Sequence, residues 1–225
     1  MTEMPPRDPH VPEKLQILAT EHWSLLATRA LTYQESLGRV NMFLAVLSGA
    51  VIALALIAQA DHFGTTFIAV AIFMLAVVFF VGVATVRRLL MLNHDDYKWV
   101  AGMNRLRHAY LELHPELEPY FITGQYDDLA GNLKTIGLTP ATAPLLGTVF
   151  HGLVTLPGML GVIVASVGAA IAGLAATGFG APIYGVLLIG VLAFAASVAL
   201  VFWTSNRSYR FYGPTVETRF PTPKS

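Results

Sequence analysis

RVNMFLAVLSGAVIALALIAQADHFGTTFIAVAIFMLAVVFFVGVATVRR, residues 39 to 88, decides the fold. Between its flanking arginines the only ionisable side chains are Asp61 and His62, which sit at a short turn. On either side of that turn lie two uncharged runs, Val40 to Ala60 and Phe63 to Val86, of twenty-one and twenty-four residues. At about 1.5 Å of rise per residue, either run crosses a hydrocarbon core of about 30 Å as a helix. Two further runs follow, Thr148 to Gly178 and Ile183 to Thr204, with His151 near the start of the first. The sequence therefore predicts an all-α polytopic membrane protein with four transmembrane helices in two hairpins, spans 40–60, 63–86, 148–178 and 183–204.

Charge orients these spans. The fourteen Lys and Arg residues lie before the first span, between the second and third, and after the fourth. The connections at Asp61 to Gly64 and Thr177 to Pro182 carry none. Basic loops stay on the cytoplasmic side, so both termini and the middle segment are expected inside a plasma (inner) membrane. Composition agrees: 55% of residues are hydrophobic and 12% charged, against the roughly 25% charged residues usual in soluble domains. A formal net charge of zero speaks against binding nucleic acid by phosphate neutralisation. With no cysteine, thiolate metal sites, Fe–S ligation and cysteine nucleophiles are excluded.

Residues 1 to 12 hold Pro5, Pro6, Pro9 and Pro12 and read as a flexible arm. No proline follows until beyond Ala60, so 13 to 60 reads as one helix whose cytoplasmic part runs about 40 Å before the membrane. Apolar residues recur there in alternating steps of three and four at Ala19, Trp23, Leu26, Ala30, Tyr33, Leu37, Val40, Leu44 and Leu47. Residues 63 to 114 repeat the plan, with a seam at Leu89, Leu92, Asp96, Trp99, Met103, Leu106, Tyr110 and Leu113. Two such seams joined by a short turn predict an antiparallel, coiled-coil-like cytoplasmic stalk. Asp96 within a seam needs a polar or cationic partner, and His22 and Arg29 are nearest in register. Prolines and glycines divide 115 to 147 into short helices and loops, and 205 to 225 forms a cytoplasmic tail.

Small residues at Gly161, Ala165, Ala169 and Gly173 form a close-packing row on the third span, expected to meet Gly190, Ala193 and Ser197 on the fourth. Leu156-Pro157-Gly158 is expected to bend the third span. The residues that could line or gate a path are Asp95, Asp96, His151, Thr155, Pro157, Gly161, Ala165, Ser166, Ala169 and Gly173. His108 and Glu112, four apart on one helix, could supply one side of a divalent metal site, though such a site needs further ligands and the spacing more often marks a solvated face. No nucleophile elbow, phosphate-cradling loop or intramembrane acid pair is present, so neither enzymatic activity nor a cofactor is expected.

The stretches LNHDDYKWVAGMNRLRHAYLELHPELEPYF, residues 92 to 121, and EHWSLLATRALTYQESLGRVNMFL, residues 21 to 44, resemble a group of uncharacterised bacterial integral membrane proteins. The resemblance implies the four-helix membrane plan and no activity, cofactor or catalytic residue. In architecture only, a long helix feeding a two-span hairpin is similar to the two-helix membrane effectors of bacterial defence systems, which implies pore formation. The small-residue third span, the break at Pro157 and the seam-bearing stalk lead to the expectation of an oligomeric, non-enzymatic pore or channel in the lipid bilayer. The alternative is a membrane-anchored scaffold or signalling adaptor whose stalk recruits a cytoplasmic protein partner. A membrane-impermeant label applied to intact cells is expected to miss both a tagged C-terminal tail and the 87 to 147 region, and to reach them after permeabilisation.

Overall fold

A computed structural model describes residues 10–137, 154–211 and 216–223. Its helices are α1 (Val11–Asp61), α2 (Thr65–Leu113), a 3-10 turn (Pro115–Tyr120), α3 (Leu129–Thr135), α4 (Leu156–Gly178) and α5 (Ile183–Phe211). Among the described residues there is no strand. Four helices, α1, α2, α4 and α5, are long and apolar enough to cross a membrane, as expected. They form two antiparallel pairs, α1 with α2 and α4 with α5. Most of the expected arm, residues 1 to 9, and the stretch 148 to 153 with His151 lie outside the described residues. Pro12 belongs to the first turn of α1, where a proline costs no hydrogen bond.

The chain divides into two compact units, one of Glu35–Leu92 and Ala143–Gly213, the other of Met1–Gln34, Asn93–Thr142 and Pro214–Ser225. The first is a helical bundle. Its α1–α2 turn is closed by Asp61, whose carboxylate accepts the Phe67 N–H at 2.7 Å while its carbonyl accepts the Gly64 N–H at 2.9 Å. His62 and Phe63 both take positive φ, 50° and 60°, to reverse the chain. One short acid thus satisfies donors that would otherwise be orphaned at the start of α2.

The bundle core runs through Phe43, Ala50, Leu75, Val78, Val86, Leu89, Leu160, Val164 and Val167, and so draws on α1, α2 and α4 together. Close approach of backbones makes this possible. A β-carbon placed on Gly82 of α2 would lie 2.5 Å from Val164 Cγ2 and 2.9 Å from Phe43 Cε2. One on Gly168 of α4 would lie 3.0 Å from Phe79 Cε2 and 3.4 Å from Ser197 Oγ. In lipid no water is released when apolar helices meet, so contact of small residues with full side chains is what holds them together.

The small row of α4 faces α5: Gly161 lies against Val201, Gly173 against Val186, and a β-carbon on Gly190 would lie 3.8 Å from the Ala169 carbonyl, while Ser197 meets Gly168, outside that row. The backbone bends at Thr155, between the helical Val154 and Leu156, near the end of the span where a bend is expected. Pro157 lies in the first turn of α4, buried, with Thr155 as N-cap accepting the Gly158 N–H at 3.3 Å. Proline is tolerated there because its missing N–H would have had no helical partner.

Gly82→Ala is expected to destabilise the bundle by roughly 1–3 kcal/mol through overpacking. Gly49→Ala, where a β-carbon meets nothing within 4 Å, is expected to be neutral or stabilising by up to about 1 kcal/mol. Thermal unfolding of the two variants in one detergent checks the contrast.

Candidate functional site: a polar unit with an exposed helix face

The second unit gathers polar side chains from α1, α2, α3 and the tail segment. Arg29 of α1 donates to Asp96 of α2 through Nε at 2.6 Å and through its terminal nitrogen at 3.2 Å, a two-point pairing that answers the acid in the α2 seam. The bond to Asp96 raises the Arg29 pKa against the opposing effect of burial. One turn further on, Leu25 approaches Gly102, and His22 stacks on Tyr110 with ring centroids 5.9 Å apart. Burial, reinforced by Arg107, lowers the His22 pKa.

Asn104 of α2 is fully buried and ties three segments together. Its amide donates to the Tyr126 carbonyl at 2.8 Å and to Asn132 Oδ1 of α3 at 3.0 Å. Its oxygen accepts from Arg107 and from the Thr135 hydroxyl, both at 2.8 Å. A buried amide pays for its desolvation only when its donors and acceptors are used, as they are here.

Next to it, Asp127 and Asp128 fasten the described tail segment, residues 216–223. The Asp127 carboxylate has no solvent-exposed side-chain surface; it accepts Arg105 Nε at 2.5 Å, the Arg219 N–H at 3.0 Å and the Phe220 N–H at 2.8 Å. Arg105 also donates to the Glu217 carbonyl. Asp128 caps α3 through the Gly131 N–H at 2.8 Å and holds Thr222 by its N–H and hydroxyl. Burial disfavours the ionised Asp127, but the Arg219 N–H, the Arg105 guanidinium and the Phe220 N–H outweigh it and leave its pKa below the ordinary value of 3.8. The clamp is therefore complete above that value and lost as the pH falls through the lower, folded pKa.

The α1 seam is displaced from expectation. Trp23 is 72% exposed, Tyr33 54% and Leu37 55%, and Ala19, Leu26 and Ala30 are exposed with them. The covered positions lie one residue earlier, at Leu18, His22, Leu25, Arg29, Thr32 and Ser36. A step of one residue turns the helix by about 100°, so a whole apolar stripe faces outward. The reason is Asp96: turning α1 to bury Trp23 and Leu26 would carry Arg29 away and strand a part-buried carboxylate. The α2 seam holds, with Leu89, Leu92 and Met103 buried.

Asp95 pairs with Lys98 at 2.8 Å, one turn along its own helix. Gly161 and Ala165 are buried in helix contacts, Ala169 and Gly173 partly so, and Ser166 donates back to the Val162 carbonyl at 3.0 Å. His108 Nε2 lies 3.6 Å from Glu112, while its ring sits between Tyr126 and Phe220, at 5.8 and 4.3 Å between centroids. Among the described residues no group of three or more His, Cys, Asp or Glu is gathered as metal ligands would be. Sequence reading missed the Asn104 network and the tail clamp. Asp128 before Leu129 was a legible N-cap signal, but its second duty to Thr222 involves residues far apart in the chain.

The fold and this site define an all-α protein with four candidate membrane spans and a polar, tail-fastened unit. No family model matches the chain, and no curated protein or solved structure is significantly similar to it.

Asp127→Ala is expected to release the tail segment, raising hydrogen exchange at the Arg219 and Phe220 amides by at least about ten-fold, since each bond to a buried charge is worth about 1.5–3 kcal/mol. Exchange of the α4 amides should stay as in the unsubstituted protein. Exchange mass spectrometry in detergent checks both.

Proposed function

We propose that this chain is a multi-pass, membrane-anchored scaffold that self-associates through the outward face of α1, with both termini and the middle segment in the cytoplasm. The observation that carries this reading is the exposed stripe. Trp23, Ala30 and Leu37 recur every seventh residue, flanked by Leu26 and Tyr33, and the same spacing continues into the first span at the exposed Leu44 and Val51. Heptad spacing is what helix pairing requires. A soluble partner could cover only the part outside the membrane. A second copy inserted in the same direction presents the same stripe in parallel, at the same depth and over its whole length. Alternation of large Trp23 and Leu37 with small Ala30 gives that face knobs and holes of its own.

This reading is favoured over a pore because the small-residue row of α4 is engaged by α5 within one chain. A conduction path along that row would have to break those contacts. The polar groups of the chain are concentrated instead in the unit that α1 and α2 share with the tail.

The absence of native cysteine gives a clean test. Ala30→Cys is expected to form a covalent dimer under mild oxidation in the membrane, and Thr32→Cys, on the covered face, is not. Trp23→Glu should weaken association by roughly thirty-fold, the scale of an aromatic anchor worth about 2 kcal/mol. A monomeric mass in detergent together with no crosslink at position 30 would discard the scaffold reading; a closed ring with α4 toward its axis would restore the pore.

A further inference from the structure

At the end of the bundle where α1 turns into α2, the two helices enclose a cleft of about 430 Å³. Its α1 side is Val51, Leu54, Ala55, Ala58 and Gln59, the spacing of a single helix face. Phe63 and Phe67 close the other side, their rings edge to face with centroids 5.1 Å apart and planes at 77°. Both rings are placed by the turn: Phe63 takes part in the positive-φ reversal, and Phe67 donates its N–H to Asp61 at 2.7 Å. Ala58 and Phe67 are buried and form the floor, while Val51, Ala55, Gln59 and Phe63 are exposed and form the rim. The space exists because Ala55 and Ala58 carry only a methyl group.

The polarity of the cleft changes along its length. Every lining side chain is hydrocarbon except Gln59, whose amide offers two donors and an acceptor. Gln59 stands at the end of the uncharged run that begins at Val40, one residue before its last member Ala60, and Asp61 follows. From Gln59 to Val51 the cleft therefore descends about 12 Å into the apolar zone, at about 1.5 Å per residue. An ester-linked lipid has the same profile, with hydrocarbon below and a carbonyl acceptor at the boundary. A second copy of the chain is a poorer match here. The outward stripe of α1 has its last exposed member at Val51, because the next seventh residue, Ala58, is buried in a cluster with Phe67 and Ala71.

We propose that this cleft binds one acyl chain of a phospholipid from the leaflet on the side of the α1–α2 turn, with the Gln59 amide donating to the ester carbonyl of that chain. The site needs only the α1–α2 hairpin in a bilayer and is independent of self-association.

The full-length protein in neutral detergent, titrated with phosphatidylcholine carrying ester-linked chains or with its ether-linked counterpart and read by native mass spectrometry, tests this. One ester lipid per chain is expected to be retained, about five-fold more tightly than the ether lipid, the scale of one net hydrogen bond. Gln59→Leu should erase that difference. Ala55→Phe, a change on the exposed rim, should lower retention of both lipids about ten-fold, as expected for roughly two methylenes losing their burial. Thermal unfolding without lipid should be the same in both variants as in the unsubstituted protein, which separates an altered cleft from a damaged bundle. Equal retention of ester and ether lipids by the unsubstituted protein, or undiminished retention by Ala55→Phe, overturns the site. A disulfide between copies carrying Ala55→Cys in the membrane would also overturn it and give the cleft to a second copy.

Discussion

Close approach at Gly82 is the constraint on which the rest of the bundle depends. Phe43 from α1 and Val164 from α4 both occupy the space that any side chain at this position would need. Three helices are thereby fixed in depth relative to one another. From that level the register runs one way to Ile68 and Gly178, and the other way to Glu35, Arg88 and the first turn of α4.

Outside the apolar zone a different force selects the pairing. Phe43 and its neighbours can be buried by any apolar face, but Asp96 accepts only a cation or a good donor. Arg29 is that partner, and its demand rotates α1 so that Trp23, Leu26, Tyr33 and Leu37 face outward. The energetics favour this arrangement because a stranded part-buried carboxylate costs several kcal/mol, whereas an exposed leucine or tryptophan forgoes roughly 1.5–3 kcal/mol of burial that another helix can still supply. The same helix is therefore satisfied on one side and left with an apolar stripe on the other. Asn104 and Asp127 continue the logic: each is buried, and each has its polar atoms engaged by α3, the adjoining loop or the tail.

Much of the fold was legible because its signals are local. Uncharged runs such as Val40 to Ala60, the absence of proline through α1 and α2 beyond Pro12, and the small row of α4 each depend on residues within a few turns of one another. So does the α2 seam, in which Leu89, Leu92 and Met103 are buried as read. Arg29 as the partner of Asp96 was foreseeable from its place along the helix. The α1 seam was read one residue out of phase because that helix carries usable residues on two adjacent faces, and periodicity alone does not say which face a partner will take. Pro157 marks an interruption of the apolar run, and the chain bends at Thr155, which caps the helix that Pro157 helps to start.

Sequence alone determined the all-α class and that four stretches are long and apolar enough to cross a membrane, because hydrophobic length is a property of consecutive residues and needs no partner to be expressed. Tertiary structure alone decided which face of α1 is covered, that Asp127 and Asp128 hold a tail some ninety residues further along the chain, and that Arg88 of α2 joins Glu35, which already has Arg39 four residues away on its own helix. The physical reason is the same in all three cases: a charged or buried polar group must find its complement in space, and where that complement lies is set by how the helices meet.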